Sequence, residues 1–515
     1  MTGEWRPATY LLTAHYFPAA EQSLTASNIN PVTTPQLINL AMQHHRSGQL
    51  QEAKNIYIQV LNQNPNQVDA LNLLGALAGQ VGQQEHGIAL LRRAIELAPD
   101  YYAAYYNLGM ALAAVGDVEG GIKANRRAAA LRADWPQGFN GLSNLLRKMG
   151  RLDEALAAAK EAVRVDPDYA DGCNNVGAAL NEMGRVEEAL VEYRRALALK
   201  PDMVVTRMNA AVALLQLGDL ERGLPEYEWR WKLRPEIKML PGPQWRGEEL
   251  AGKTILLYGE QGMGDAIQFV RYAPMVANRG GKVLLQCHDE LLRLMDGLSG
   301  VHQVYPATKP SPLYHVQCPL MSLPLAFGTR LETIPASPAY LKADPALAQA
   351  WDEKLRGNVG AETASAKLRV GIAWAGRADH NNDRNRSMQL SQLAPLFDGD
   401  NIELFSLQKG ERGKDALPAA GRAKWFDYTA DLHDFADTAG LVCHLDLVIS
   451  VDSAVAHLAA AMGKPTWVML PFVPDWRWMM KGETSPWYPS IRLFRQTAIG
   501  DWAGVVHRVR EALDL

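Results

Sequence analysis

The sequence predicts an α-helical solenoid followed by two α/β domains, and two observations carry this prediction. Six glycines recur every 34 residues, at Gly48, Gly82, Gly116, Gly150, Gly184 and Gly218. A period of this length is typical of stacked two-helix repeats. After residue 235 the period stops, and short apolar β-branched runs alternate with glycine-rich turns and amphipathic segments. That alternation is typical of α/β domains with parallel sheets.

Each recurring position of the repeat has a physical reason. The glycine can adopt positive φ in the tight turn between two antiparallel helices. Five residues later a small residue lets the two helices approach closely: Ala53, Gly87, Gly121, Ala155, Ala189 and Gly223. A proline, seventeen residues after five of the six glycines, ends the second helix. The pattern resembles the tetratricopeptide repeat, and it predicts six repeats over 34–235, preceded by a flexible leader, 1–33.

One phase of the repeat is rich in asparagine. The sixth position of each unit is Asn39, Leu73, Asn107, Gly141, Asn175 and Asn209. Asparagine is a poor residue in helix interiors, and its amide can both donate to and accept from a peptide backbone. The pattern resembles the asparagine ladder in the repeats of O-GlcNAc transferase, which implies a protein or peptide acceptor in the repeat groove. The alternative is that these side chains solvate an exposed helix face.

Composition restricts the class of protein. The chain of 515 residues is 48% hydrophobic and 21% charged, with a formal net charge of −4. No general basic field exists, so nucleic acid is not an expected partner. No apolar run is long enough to predict a transmembrane helix. The four cysteines form no CxxC motif, which predicts reduced thiols in a cytoplasmic protein.

The region after the repeats divides into two α/β halves. A Trp- and Pro-rich joint, 236–251, leads to the apolar strand 254–258, a glycine-rich turn, a helix and a second strand, 282–287. From 368 the pattern of strands and turns begins again. We therefore expect two Rossmann-like domains facing a cleft, at 252–355 and 368–515, joined by a linker over 356–367. Ligands of such sheets bind at the carboxyl ends of the strands, where the glycine-rich turns fall.

Sequence motifs restrict the class of ligand that the α/β region can bind. The turn with Gly259, Gly262 and Gly264 does not match GxGxxG. The GxxxxGK[ST] match at Gly247–Thr254 leads into the predicted strand 254–258, whereas a P-loop follows a strand and opens a helix. The only DxD of the region after the repeats, Asp398 to Asp400, lies in a predicted turn, and no His/Cys cluster has metal-ligand spacing. We therefore predict no metal and no cofactor. The remaining chemistry is metal-free binding of a phosphorylated donor by helix N-termini and basic side chains.

Candidate donor-binding residues follow the strands of the second half. Asp452 and Ser453 stand where a strand ends and a helix begins, with His457 one helical turn further on. Gln408, Lys409 and Arg384 follow other strands and complete the predicted set. Asp452 and Ser453 could instead be simple N-caps, Lys409 a solvated lysine, and His457 a core histidine.

The region 252–515 resembles the ADP-heptose:lipopolysaccharide heptosyltransferases, on the segments "GMGDAIQ" and "ISVDSAVAHLAAAMGKP". The resemblance implies a GT-B glycosyltransferase with a nucleotide-sugar donor and an acceptor-side N-terminal domain. It implies that Asp265, after Gly264, is the catalytic base, that Asp452, Ser453 and His457 bind the donor, and that Lys409 contacts its phosphate. Asp265 could also serve as the N-cap of the following helix.

Repeats joined to such a region resemble bacterial repeat-containing glycosyltransferases, including flagellin-modifying enzymes, and the layout resembles O-GlcNAc transferase. We therefore predict transfer of a sugar to a Ser or Thr hydroxyl of a protein. Gln261 and Trp476 are further acceptor-side candidates, although the Trp-rich segment around Trp476 could instead form an aromatic seam between domains. A non-catalytic adaptor and a lipopolysaccharide or polysaccharide glycosyltransferase are the alternatives. A homo-oligomer is compatible with the repeats.

Overall fold

The computed structural model describes residues 33–233, 239–358, 367–380, 382–415 and 422–514. The chain divides into two compact units, Met1–Met203 and Val204–Leu515. Most of the predicted leader 1–33, and parts of the predicted joint 236–251 and linker 356–367, lie outside the described residues.

The first unit consists of helix pairs in which 13- and 14-residue helices alternate. The helices are α1 (Thr34–Arg46), α2 (Leu50–Gln63), α3 (Val68–Gln80), α4 (Gln84–Leu97), α5 (Tyr102–Ala114), α6 (Val118–Leu131), α7 (Pro136–Lys148), α8 (Leu152–Val165), α9 (Ala170–Glu182) and α10 (Val186–Leu199). The turn glycines have φ between 73° and 92°. The predicted close approach is also present, because a Cβ on Gly121 would lie 2.6 Å from the carbonyl oxygen of Gly109.

The sixth repeat lies in the second unit. It comprises α11 (Val204–Gln216), α12 (Leu220–Tyr227) and the short α13 (Arg230–Leu233). Its apolar side, with Leu215, Leu224 and Tyr227, belongs to the same hydrophobic core as Phe269 and Trp476 of the α/β region. The last repeat is therefore a structural part of the α/β unit.

The first α/β domain contains a four-stranded parallel sheet of order β3-β2-β1-β4. Its strands are β1 (Thr254–Tyr258), β2 (Lys282–Cys287), β3 (Gln303–Pro306) and β4 (Val316–Pro319). Its helices are α14 (Met263–Phe269), α15 (Ala273–Ala277), α16 (Leu292–Met295) and α17 (Leu323–Ala326). The runs predicted as strands at 254–258 and 282–287 are β1 and β2.

The second α/β domain contains a six-stranded parallel sheet of order β10-β9-β8-β5-β6-β7. The strands are β5 (Leu368–Ala373), β6 (Ile402–Ser406), β7 (Lys424–Asp427), β8 (Leu447–Val451), β9 (Thr466–Leu470) and β10 (Ile491–Arg495). The helices are α18 (Pro345–Asn358), α19 (Asp383–Arg386), α20 (Phe435–Val442), α21 (Ala454–Ala461) and α22 (Trp502–Ala512). The strand order reverses between β5 and β8, which is where ligands of such sheets bind.

Helix α18 crosses the predicted boundary between the two α/β domains. Trp351 and Leu355 on this helix pack in one core with Phe405 and Leu441 of the second sheet domain. The predicted boundary at residue 355 therefore falls inside a helix that packs on the C-terminal sheet. The sequence of the predicted linker, 356–367, does not show where the boundary lies, because the residues that pack on the C-terminal sheet precede it.

Candidate functional site

Asp265 lies in the first turn of α14, directly after the glycine-rich turn that follows β1. Its Oδ2 accepts a hydrogen bond of 2.9 Å from the backbone N–H of Gly262, so it caps the helix. Its Oδ1 accepts from the guanidinium of Arg477. The side chain keeps 20% of its exposure. The carboxylate therefore has one oxygen fixed by the helix and one bound to an arginine from the other α/β domain.

Arg477 joins the two α/β domains electrostatically. It lies in a 3₁₀ turn, Trp476–Trp478, and also donates to Asp475 Oδ1 at 2.7 Å. Burial opposes its charge, but Asp265 and Asp475 outweigh that effect and raise its pKa further. A guanidinium buried between two carboxylates stays charged, so it provides fixed positive charge beside Asp265.

His457 is buried on α21 against the helix that carries Asp265. A Cβ on Gly264 would lie 2.9 Å from the imidazole Cδ2, so the ring packs directly on α14. The ring stacks on Trp478, with centroids 5.2 Å apart, and its Nδ1 hydrogen-bonds the Tyr488 hydroxyl at 2.9 Å. Burial, and then Arg477 and other arginines, hold the pKa of His457 well below its usual range. The imidazole is therefore neutral and can act as a hydrogen-bond donor.

Asp452 follows β8 at the mouth of the same cluster. Its Oδ1 lies 3.9 Å from His457 Nε2, and its side chain is 15% exposed. Burial, followed by the charge of Asp475, raises the pKa of Asp452 to about 6, although Arg386 acts in the opposite direction. Near neutral pH this carboxyl can bind a proton, which reduces its repulsion of an anionic ligand.

Arg386 is a residue of this cluster that the predicted donor set omits in favour of Arg384. Its side chain is 15% exposed, and its Nε is buried with no hydrogen-bond partner among the described residues. Its charge lowers the pKa of both Asp452 and His457. Arg384, two residues earlier, is exposed. The sequence shows that this segment is basic, but which arginine is buried and which is exposed depends on the short helix α19.

Two histidines join the cluster without a sequence motif to mark them. Burial lowers the pKa of His288, which follows β2, and of His380, which precedes α19, and Asp265 acts on both. His288 Nδ1 is buried with no hydrogen-bond partner within the described ranges. His288 follows β2 and His380 follows β5, at positions that no local pattern in the sequence marks.

Lys409 and Gln408 are placed differently from the rest of the predicted donor set. The Lys409 ammonium donates to the carbonyl of Leu432, two strands away from the β8 end that carries Asp452. Gln408 is buried, and its Oε1 accepts from the backbone N–H groups of Trp374 and Ala375 at 3.0 and 2.8 Å. Gln408 therefore holds the turn after β5 in place.

Ser453 and Gln261 lie beside the cluster. Ser453 is the N-cap residue of α21, and its hydroxyl hydrogen-bonds Ser450 Oγ at 2.8 Å. Gln261 and Gly264 are half-buried in the turn and first residues that lead into α14.

The structure contradicts an acceptor-binding role for Trp476. The indole is 2% exposed and packs between Tyr227 of the last repeat and Phe269, with centroids 6.1 and 6.3 Å away. The alternative stated for the Trp-rich segment, an aromatic seam, is what the structure has. The Trp-rich sequence was ambiguous, because an aromatic side chain suits both stacking on a ligand and packing in a core.

The asparagine phase of the repeats is only partly available to a ligand. Asn107 is 5% exposed and donates to Asn72 Oδ1 at 2.9 Å. Asn175 is 4% exposed and donates to Asn140 Oδ1 at 2.7 Å. Both donate to an asparagine 35 residues earlier, so their amide N–H groups link successive repeats. Asn39 is exposed and Asn209 is half-buried.

Across the described ranges, no group of three or more His, Cys, Asp or Glu side chains could hold a metal ion. Within those ranges, no helix combines the length and the apolar character needed to cross a bilayer.

Comparisons with known proteins agree with this arrangement. The tetratricopeptide repeat profile matches residues 78–137 and 140–204. The profile of glycosyltransferase family 9 (heptosyltransferase) matches residues 430–469, the segment that holds Asp452 and His457. The chain is 26% identical over 301 residues to Protein FlbA of Caulobacter vibrioides, over 53% of this chain and 48% of that protein. The match thus spans about half the length of this curated relative.

Solved structures with similar repeats include TTC0263, a thermophilic TPR protein of Thermus thermophilus. It is 22% identical with a TM-score of 0.33, over 36% of this chain and all of that protein. MamA protein is 25% identical with a TM-score of 0.28, over 33% of this chain and 92% of that protein. The repeat profile and the observed elements confirm the predicted fold class, a tetratricopeptide-repeat solenoid followed by parallel-sheet α/β domains.

Proposed function

We propose that this protein transfers a sugar from a nucleotide-sugar donor to a Ser or Thr hydroxyl of a polypeptide, with a GT-B type arrangement. The observation that carries the proposal is the convergence of Asp265, Arg477, His457, Asp452 and Arg386 between the carboxyl ends of β1 and β8. A carboxylate that can accept a proton and arginines that can bind phosphate meet there from both α/β domains.

The donor diphosphate binds on the C-terminal side. Arg386 offers an Nε–H with no hydrogen bond in the described structure, 3.9 Å from Asp383 Oδ1. The first turn of α21, which begins two residues after Asp452, has backbone N–H groups without intrahelical partners. The neutral His457 donates a hydrogen bond without adding charge. With Arg386 and Arg477 supplying positive charge, the proposed reaction needs no metal ion and no cofactor, so transfer should continue in EDTA.

Asp265 acts as the general base. As the acceptor oxygen forms its bond to the anomeric carbon, the bond from that carbon to the diphosphate oxygen breaks. The hydroxyl proton passes to Asp265, and the nucleoside diphosphate leaves with its negative charge. Arg477 must move from Asp265 toward the leaving group, which frees the carboxylate as the phosphate becomes more negative.

The acceptor is a protein. The repeats support this because tetratricopeptide arrays bind polypeptides along an extended surface. Flagellin is one candidate, implied only by the resemblance to flagellin-modifying repeat glycosyltransferases, and a cytoplasmic reaction fits a nucleotide-sugar donor.

Donor binding is the first test. Calorimetry with a panel of nucleotide sugars should give a selective signal with the wild-type chain. Arg386→Gln should weaken binding about 10-fold or more, the range for a charged hydrogen bond, whereas Arg384→Gln serves as the matched control. Equal losses in the two variants would remove Arg386 from the site. No binding by any donor would favour the non-catalytic adaptor, and sugar found only on lipid would favour the glycolipid alternative.

A further inference from the structure

A small cavity lies between the last repeat and the turn after β1. It has a volume of about 100 Å³. Met208 and Leu233 of the last repeat supply apolar walls, and Glu260 and Gln261 come from the turn that leads to Asp265. Leu233 is 41% exposed, so the cavity opens to solvent.

Three polar atoms of the lining residues are buried without a partner. Trp231 Nε1, Arg230 Nε and Glu260 Oε2 have no hydrogen-bond partner among the described residues. The Glu260 side chain is 3% exposed and that of Arg230 6%. Buried polar groups of native proteins are nearly always paired, so three such atoms around one cavity point to a missing ligand.

The other atoms of the same side chains are well fixed. Arg230 donates to Glu260 Oε1 at 3.0 Å and to the Ser322 hydroxyl at 2.7 Å. Its guanidinium lies 4.8 Å from the ring centroid of Trp231. The unpaired atoms therefore hold fixed positions, which is a requirement for a binding subsite.

The size and chemistry of the cavity restrict its ligand. A cavity of about 150 Å³ holds one benzene, so this smaller one has no room for a sugar ring or a nucleotide base. Two N–H donors and one carboxyl oxygen suit a group that both accepts and donates, such as a side-chain hydroxyl or amide. The donor substrate is excluded by its size, which leaves the acceptor.

The cavity adjoins the proposed catalytic carboxylate. Tyr227 lines it, with the Arg230 guanidinium 5.4 Å from its ring centroid. The same ring lies 6.1 Å from that of Trp476, whose neighbour Arg477 binds Asp265. Asp265 also acts on the pKa of Glu260, which burial raises to about 7. A side chain in this cavity would therefore lie beside the residue that reacts at Asp265.

We infer that this cavity, which we call the Glu260 subsite, binds the threonine, serine or asparagine side chain of an acceptor residue that flanks the reactive hydroxyl. The inference rests on the proposed function. Trp231 Nε1 and Arg230 Nε donate to the side-chain oxygen, and Glu260 Oε2 accepts a hydrogen bond from the O–H or N–H of that side chain. The subsite thus selects the acceptor sequence close to the site of transfer.

Two isosteric probes test this with the full-length chain. Saturation-transfer NMR should show N-acetyl-threonine amide binding at about 10 mM, at least about fivefold more tightly than N-acetyl-valine amide, which lacks the hydroxyl. Trp231→Phe should abolish the difference, because it removes one donor and no internal hydrogen bond. Trp229→Phe, in the neighbouring tryptophan that does not line the cavity, should preserve it.

Equal binding of the two amides, binding of neither, or an unchanged preference in Trp231→Phe would overturn the subsite and leave water as its occupant. Nucleotide-sugar binding is measured on the same samples. If donors bind while the amides do not discriminate, the subsite fails and the glycosyltransferase proposal stands. If the threonine amide is preferred but no nucleotide sugar binds, the proposed function fails. The cavity is then a binding site for a hydroxyl-bearing side chain with no role in sugar transfer.

Discussion

The turn after β1 and the turn after β8 have the same local architecture, but their acidic side chains lie in different electrostatic environments. Each joins a buried parallel strand to a helix, and the two helices meet where His457 packs on Gly264. In the first turn Asp265 is ion-paired with Arg477. In the second, burial raises the pKa of Asp452 to about 6 and holds that of His457 well below its usual range. Partners distant in sequence, rather than the strand–turn–helix motif, therefore determine what each turn can do.

The largest expected effect is on the rate of sugar transfer when Asp265, in the turn after β1, is substituted. Asp265→Asn should lower the single-turnover rate of transfer by about 10²–10⁴-fold, because the general base is lost, while donor affinity stays within about twofold. Asp289→Asn, an exposed aspartate after β2, is the matched control. A variant at Asp265 that keeps more than about a tenth of the wild-type rate would assign the base elsewhere.

The second effect is on stability, through the residue that joins the turns. Arg477→Met should lower the free energy of unfolding by about 3 kcal/mol, the low end for a broken buried ion pair. The low end applies because Asp265 and Asp475 keep 20% and 36% of their side-chain exposure.

Urea denaturation measures this loss, and the double variant Asp265→Asn/Arg477→Met should recover part of it. Additive losses in the double variant would mean that the ion pair does not stabilise the domain contact.

The third effect depends on pH and concerns Glu260, which precedes Asp265 by five residues. Burial raises the pKa of Glu260 from 4.5 to about 7 in the folded chain. Between these values the folded state retains a proton that the unfolded chain releases, so this contribution to stability is present at low pH and is lost as pH rises. From about pH 5 to pH 7 the wild type should lose about 2 kcal/mol relative to Glu260→Gln.

Thermal or urea unfolding of both proteins across this range provides the comparison, and every other titrating group cancels in the difference. Parallel curves would show that Glu260 does not hold the proton in the folded state.

The smallest effect is at the contact between the two helices. Gly264→Ala would place a Cβ 2.9 Å from the imidazole of His457, which Trp478 holds by stacking. Overpacking of this kind should cost about 1–2 kcal/mol and weaken donor binding by displacing the ring. Gly262→Ala is the matched control, since its Cβ would meet only Asp265 Oδ2, at 3.3 Å. Equal stability of the two variants would show that the helices can separate freely.

The sequence predicted those parts of the fold that local patterns determine. The glycine period marked the turns because positive φ restricts the residue type, and the apolar β-branched runs marked β1, β2 and β8 because both faces of a parallel strand are buried. The site was less predictable. Arg477 meets Asp265 across 212 positions, and no local pattern connects them.

Asparagine illustrates the same limit within the repeats. Its phase was visible, but Asn107 bonds Asn72, which lies one position earlier in the preceding unit. Whether an amide faces a ligand or a neighbouring helix depends on the rotation between repeats, which the period alone does not specify. Trp476 was ambiguous for a related reason, since its burial depends on the last repeat.

The packing of the last repeat on the α/β core has an evolutionary consequence. Leu215, Leu224 and Tyr227 are shared with that core, so selection on the α/β core also acts on this repeat. Gain or loss of whole 34-residue units before Val204 leaves the core of residues 204–515 unchanged. A change in the number of repeats would therefore alter the length of the solenoid and leave the α/β core intact, together with the helix pair of the last repeat that packs on it.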